Sequence, residues 1–276
     1  MKRTIPARCL LFLLAMGMIL SLAACSRGDP SEPDETSSSE PEESSEPPIE
    51  GALERPALAD KIAEGVRRNS DTVGWIRIPG TTIDDAVVQY SDNSYYLRLN
   101  EDKKYDVFGC YFMDYESRQG RSAEMSKNNI IYGHSDLRDN RDGKKFSQLF
   151  LYTEKETGLD FLREHPYIFY STRDEEMTWQ IFAVFYTHVS LDYIRADPDA
   201  ARFATVVDEA KLRSEYIIDV PVTAGDKILT LSTCTVKYNP SDHNNYRLVI
   251  MAKLLPAGKQ LAPAVEAEIN PDPKKS

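Results

Sequence analysis

Between residues 56 and 255 the sequence alternates short apolar runs with longer amphipathic segments. The short runs are rich in β-branched and aromatic residues and end at polar residues, glycine or proline, which is the pattern of β-strands. They cover residues 74–78, 86–90, 106–114, 128–133, 167–171, 177–189, 226–234 and 246–255. Seven or eight strands at this spacing predict a mainly β fold, a closed or nearly closed β-barrel with decorating helices.

The amphipathic segments predict the helices. Residues 56–69 begin with a proline and carry apolar residues at helical spacing, which predicts an N-terminal helix before the first strand. Residues 198–215 repeat that pattern over a longer stretch and predict a long helix before the strand that ends at Cys234. Residues 144–151 and 154–164 are also helical in pattern.

The N-terminus has the organisation of an export signal. Residues 1–24 place three basic residues before an apolar stretch, and that stretch ends in LAAC at 22–25. This ending resembles a bacterial lipobox, which implies cleavage before Cys25 and attachment of lipid to its thiol. An ordinary cleaved signal and an uncleaved single-span anchor are the alternatives, and each also takes the chain out of the cytoplasm.

Composition divides the rest of the chain. Residues 25–55 are dominated by Ser, Glu and Pro, so they predict a disordered tether because they cannot bury enough apolar surface to offset the entropy of ordering. Residues 56–256 predict one folded domain, and residues 257–276 predict a frayed C-terminal tail. The net charge of −11 argues against nucleic-acid binding, and the chain has no interior apolar run that would make it a multi-span membrane protein.

The candidate chemistry centres on one thiol. Cys234 ends an apolar strand and enters a polar loop, and His134 does the same at the end of 128–133. A nucleophilic thiol needs an imidazole partner and a group that holds the oxyanion. His243, in the loop after Cys234, is an alternative partner by proximity. Cys110 lies in an apolar strand and is predicted to be a core residue, with a disulfide to Cys234 as the competing interpretation.

Acidic clusters at 84–85 and 174–176 raise the question of a cation site. They lack the spacing of a calcium-binding loop, so turn and surface charge is the preferred interpretation. No metal and no cofactor is predicted.

Three motifs together resemble the sortase family. TLSTC at 230–234 is similar to the sortase cysteine motif, IIYGH at 130–134 to the histidine strand, and Arg247 in YRLV at 246–249 to the essential arginine. The N-terminal helix, the long helix at 198–215 and the G-x-x-F-x-x-L pattern at 143–149 resemble class B in particular. The resemblance extends from about residue 56 to 255 and implies a sortase-type closed β-barrel.

The resemblance also implies an activity. Sortases are cell-surface cysteine transpeptidases that cleave a C-terminal sorting motif after threonine and transfer the acyl group to an amine. By this resemblance Cys234 is the nucleophile, His134 the general acid and base, and Arg247 the group that stabilises the oxyanion or the substrate. Ser232 and Thr233 flank the nucleophile and are candidate substrate-binding residues, although strand packing explains them equally well.

The implied partners are exported proteins with a sorting motif and an amine of a peptidoglycan precursor or pilin. The implied location is the outer face of the cytoplasmic membrane of a Gram-positive-type bacterium, where the chain is held by its lipid or signal anchor. Two departures from the family stand out: the loop between Cys234 and Arg247 is long, and a lipobox replaces the usual uncleaved span. A surface protease that transfers acyl groups only to water, and a non-catalytic wall-binding barrel lipoprotein, are the competing functions.

Overall fold

The computed structural model describes residues 47–136, 138–239, 241 and 245–275. Its strands bear out the predicted alternation: β1 (Thr72–Arg77), β2 (Asp84–Val88), β3 (Tyr111–Met113), β4 (Asn128–Tyr132), β5 (Tyr167–Thr172), β6 (Thr178–His188), β7 (Tyr216–Ile218), β8 (Ile228–Cys234), β9 (Tyr246–Leu254) and β10 (Ala267–Ile269). The helices are α1 (Ala59–Arg68), α2 (Gly158–Glu164) and α3 (Ala200–Arg213), with 3₁₀ helices at Tyr95–Arg98 and Lys145–Thr153.

Eight of these strands close into a barrel in the order β1-β2-β3-β4-β8-β9-β6-β5, with β1 paired to β5. The predicted closed barrel is therefore confirmed. Neighbouring strands are antiparallel except for two parallel pairs, β2 with β3 and β4 with β8. An eight-stranded barrel is just wide enough for its interior to be filled by side chains. Accordingly Ile76, Leu231 and Ile250 are fully buried in one continuous apolar core.

The helices pack their apolar stripes onto the barrel. In α3, Phe203, Val206, Val207 and Ala210 are buried at the spacing that places them on one face. The side chain of Asp199 caps this helix by accepting a hydrogen bond from the backbone N–H of Arg202 at 2.8 Å. Within the described residues no helix has the length and apolarity needed to cross a membrane.

The C-terminal segment differs from the predicted frayed tail. Within residues 257–275, Leu261 is fully buried and β10 pairs antiparallel with β7. The predicted tether also ends earlier than residue 55, because Leu53 forms a β-bridge with Leu261. Both segments are ordered by contacts with distant parts of the chain, which local composition does not reveal. The predicted signal, Cys25 and the tether up to residue 46 lie outside the described residues.

Candidate active site

The candidate catalytic residues lie at one edge of the barrel because of how three adjacent strands run. β4 and β8 are parallel, with Tyr132 beside Ser232, so both strands end at the same edge. β9 is antiparallel to β8 and begins at that edge. The end of β8, the start of β9 and the residues that follow β4 are therefore brought together.

Cys234 and Arg247 occupy directly opposed positions on β8 and β9. The Cβ atoms of such a pair are typically about 4.5–5.5 Å apart and their side chains share a face of the sheet. Cys234 is partly exposed and its thiol is free. The Nη1 of Arg247 donates to the carbonyl of Tyr246 at 2.9 Å, which ties the guanidinium to the start of β9.

His134 follows β4 by two residues and is half-buried. Its Nε2 lies 2.7 Å from the backbone carbonyl of Leu97 in the first 3₁₀ helix. A carbonyl can only accept, so this contact assigns the proton of the neutral imidazole to Nε2 and leaves Nδ1 as the basic nitrogen. Burial lowers the pKa of His134 below its ordinary value, the nearby cation of Arg98 acts in the same direction, and the bond to Leu97 opposes them.

Hydrogen bonds join the histidine and cysteine segments directly. The hydroxyl of Ser135 donates to the carbonyl of Cys234 at 2.7 Å. The hydroxyl of Thr233 donates to the carbonyl of Gly133 at 2.8 Å, and these two residues directly precede Cys234 and His134. These two hydrogen bonds, each from a side-chain hydroxyl to a backbone carbonyl, hold the two segments together. They therefore restrict the movement of His134 relative to Cys234.

His134, Cys234 and Arg247 all line one open cavity of about 260 Å³. The other lining residues are Asn93, Leu97, Phe112, Tyr132, Gly133, Ser232 and Thr233. The lining combines apolar side chains with a thiol, an imidazole and a guanidinium, which suits a site that holds a short peptide segment and acts on one of its bonds.

Ser232 and Thr233, the predicted substrate-binding residues, are both 2% exposed. The hydroxyl of Ser232 lies 2.8 Å from that of Tyr193, and the hydroxyl of Thr233 is committed to Gly133. Their hydroxyls therefore already have partners within the scaffold, although both residues contribute to the cavity wall.

Some of the wall was not anticipated from the sequence. Asp114 is buried and accepts hydrogen bonds from the hydroxyl of Tyr132 and the amide of Asn93, each at 2.8 Å. It thereby fixes two side chains that line the cavity. No local motif marks Asp114 or Asn93, and Leu97 contributes a backbone carbonyl that any residue type would supply.

Two alternatives raised by the sequence concern Cys234: a disulfide with Cys110, and His243 as its partner. Cys110 is fully buried with a free thiol, as predicted for a core residue, so it forms no disulfide with Cys234. Burial raises the pKa of the Cys110 thiol well above its ordinary range, which keeps it protonated. His243 lies outside the described residues.

The carboxylates of the first acidic cluster are engaged by cations of the protein. Asp84 pairs with Lys61 at 2.5 Å, and Asp85 pairs with Lys145 at 2.9 Å. In the second cluster, Glu175 accepts from the backbone and hydroxyl of Ser122. These contacts give the acidic residues structural partners.

Comparison with known proteins identifies the family. The sortase-domain sequence profile matches residues 76–255. Sortase B of Listeria monocytogenes is 34% identical over 199 residues, which cover 72% of this chain and 75% of that protein. Sortase B of Staphylococcus aureus is 30% identical over 188 residues, covering 68% of this chain and 71% of that protein.

Solved structures agree with this match. A Staphylococcus aureus sortase B–substrate complex superposes with a TM-score of 0.61 at 28% identity, covering 72% of this chain and 86% of that one. A Bacillus anthracis protein similar to sortase B superposes with a TM-score of 0.59 at 30% identity, covering 75% and 88%. The chain therefore belongs to the sortase family and is a class B sortase, a cysteine transpeptidase.

Proposed function

We propose that this sortase cleaves exported proteins after the threonine of a C-terminal sorting motif and joins the acyl fragment to an amine of a peptidoglycan precursor or pilin. The observation that carries the proposal is the convergence of Cys234, His134 and Arg247 on one open cavity. Support for a sorting-motif substrate comes from the structural similarity to a sortase B solved with its substrate.

The first step, acylation of Cys234, can be derived from the protonation state of His134 before the reaction begins. The pKa of His134 is lowered, so its imidazole is neutral near pH 7 and Nδ1 is available as a base. In this proposal Nδ1 of His134 takes the proton of the Cys234 thiol as the sulfur attacks the carbonyl carbon of the threonine. The imidazolium then gives that proton to the departing amine as the C–N bond breaks, which leaves a thioester on Cys234.

Arg247 is the proposed oxyanion donor. Attack by sulfur places negative charge on the former carbonyl oxygen, and a fixed cationic donor stabilises that charge more than it stabilises the ground state. Guanidinium stays protonated at any physiological pH, so this role does not require titration. Its position opposite Cys234 on the neighbouring strand keeps it close to the reacting carbonyl.

Deacylation reverses the proton path. An incoming amine attacks the thioester carbonyl, the new amide bond forms and the C–S bond breaks. The proton lost by the amine passes to Nδ1 of His134 and from there to the sulfur of Cys234. Water in place of the amine gives hydrolysis, which is the reaction of the surface protease considered above.

Ser232 and Thr233 remain proposed as substrate-binding residues through the wall they form, and Cys25 remains proposed as the site of lipid attachment. A chain lipidated at Cys25, or held by its signal segment, would act at the outer face of the cytoplasmic membrane. There it would meet both exported proteins and wall precursors.

The test uses fluorogenic sorting peptides with and without glycine or diaminopimelate amines. We expect cleavage by the unchanged chain, with the added amine appearing in the product at the expense of hydrolysis. Cys234→Ala abolishes cleavage, whereas Cys110→Ala, a cysteine in the core, retains it. Cleavage that persists in Cys234→Ala, or product that never contains the amine, would refute the proposal.

A further inference from the structure

Asp139 connects the loop that follows His134 to the backbone that follows Cys234. Its Oδ2 accepts a hydrogen bond from the hydroxyl of Thr235 at 2.6 Å. The backbone N–H of Val236 donates to both carboxylate oxygens, at 3.0 Å and 3.2 Å. One carboxylate therefore holds the two residues that come immediately after the nucleophile.

The two residues that form this contact, Thr235 and Asp139, are each suited to it by their position and backbone conformation. Thr235 is 1% exposed, and its backbone N–H donates to the carbonyl of Tyr246 at 3.2 Å, directly before Arg247. Thr235 thus touches the segments of all three proposed catalytic residues. Asp139 has a positive φ of 53°, a left-handed conformation that aspartate and asparagine adopt more readily than most residues.

The loop that carries Asp139 is itself anchored on its other side. The backbone N–H of Asp136 donates to the hydroxyl of Ser147 in the second 3₁₀ helix at 2.7 Å. The backbone N–H of Asp139 then donates to the carbonyl of Asp136 at 3.1 Å. A chain of contacts therefore leads from a buried helix, through the loop after His134, to the backbone after Cys234.

We propose that Asp139 is a positioning residue, which fixes the segment after Cys234 against the His134 loop so that thiol and imidazole keep one relative geometry. This inference rests on the proposed function, because the relative geometry of thiol and imidazole affects the rate only if the two groups catalyse the reaction together. Hydrogen bonds to a carboxylate are stronger than neutral ones, and a displacement of about 1 Å in an active site can cost up to ~100-fold in rate.

The test compares Asp139→Asn with Asp142→Asn, an exposed carboxylate of the same loop. Asparagine keeps the size and the left-handed preference of aspartate but loses the charge and one acceptor oxygen. We expect Asp139→Asn to lower kcat on the sorting peptide about tenfold with little change in KM or in the thermal unfolding midpoint. Asp142→Asn should match the unchanged chain.

A second variant, Thr235→Val, tests the same contact from the other side because it removes the hydroxyl that donates to Asp139. If both variants act through one contact, the double variant has a kcat close to that of Asp139→Asn alone. Multiplicative losses, an unchanged kcat in Asp139→Asn, or an equal loss in Asp142→Asn would overturn the proposal.

A substrate-independent readout separates this inference from the proposed function. Iodoacetamide alkylation of Cys234, located by peptide mass spectrometry on the full chain, reports on the thiol without any sorting peptide. A neutral imidazole close to a thiol speeds alkylation by accepting the thiol proton as the sulfur reacts, so loosening the site slows alkylation. We expect slower alkylation in Asp139→Asn and an unchanged rate in Asp142→Asn. If no peptide is turned over, the proposed function fails, while equal alkylation rates in the two variants would overturn the role of Asp139.

Discussion

Gly133 shows how a single residue can set the position of a side chain that is proposed to be catalytic. A Cβ atom built on Gly133 would lie 2.6 Å from Cδ2 of Phe146 and 3.0 Å from Cδ1 of Tyr111. Phe146 is fully buried, so its ring can move only by displacing the side chains packed around it. Because Gly133 has no side chain, the second 3₁₀ helix, which carries Phe146, can pack against the residue next to His134.

We expect Gly133→Ala to lower the free energy of unfolding by about 1–3 kcal/mol, because overpacking forces the buried rings to shift. The same shift should lower kcat, since His134 follows directly in the chain. Gly225→Ala is the matched control, since its new Cβ would meet only the hydroxyl of Thr223 at 3.6 Å. Equal unfolding free energies for the two variants, measured by urea denaturation, would contradict this packing argument.

At this scale the sequence predicts side chains better than it predicts backbone atoms. Cys234, His134 and Arg247 stand in motifs whose residue types have recognisable chemistry. The carbonyl of Leu97, which orients His134, has no residue-specific signal. Asp139 is one of several acidic residues in its loop, and only the fold shows that it reaches Val236.

Among the secondary-structure elements, those with a clear local pattern could be predicted from the sequence, whereas those that depend on a distant pairing partner could not. Most barrel strands and α1 to α3 have enough residues for a periodic pattern, and the structure contains them close to the predicted positions. The exception among the barrel strands is β3, where the strand predicted at 106–114 is only Tyr111–Met113. β7 and β10 are three residues each and pair with one another across about fifty residues of chain. A pattern that short is ambiguous, and the pairing partner is invisible from either segment alone.

The C-terminal segment consequently contributes to stability. Leu261 is fully buried and forms a β-bridge to Leu53, whereas Ile269 on β10 is 63% exposed. We expect Leu261→Ala to lower the free energy of unfolding by about 2–5 kcal/mol through lost burial and the cavity left behind. Ile269→Ala should stay within about 0.5 kcal/mol of the unchanged chain. A loss as small for Leu261→Ala as for Ile269→Ala, in urea denaturation of both, would restore the description of this segment as a frayed tail.

On the scale of the whole molecule, the strand order of the barrel explains the position of the site. The parallel β4–β8 pair ends where β9 begins, so three residues that are far apart in sequence meet at one edge. A larger groove of about 650 Å³ lies elsewhere on the surface, beside Arg55, Asp226 and Lys253. Cysteine and histidine are absent from the described residues that line it. Volume alone favours this groove, whereas the chemistry of the lining residues favours the smaller cavity as the proposed active site.

The most direct test of the account is to trap the acyl-enzyme. The full chain is incubated with a sorting peptide in the absence of an acceptor amine, quenched in acid and analysed by intact mass and peptide mapping. We predict a mass increase equal to the mass of the free peptide fragment that ends in threonine less one water, located on Cys234 and removed by hydroxylamine, as expected of a thioester. Cleavage of the peptide with no adduct on Cys234, or with the adduct on another residue, would contradict the account.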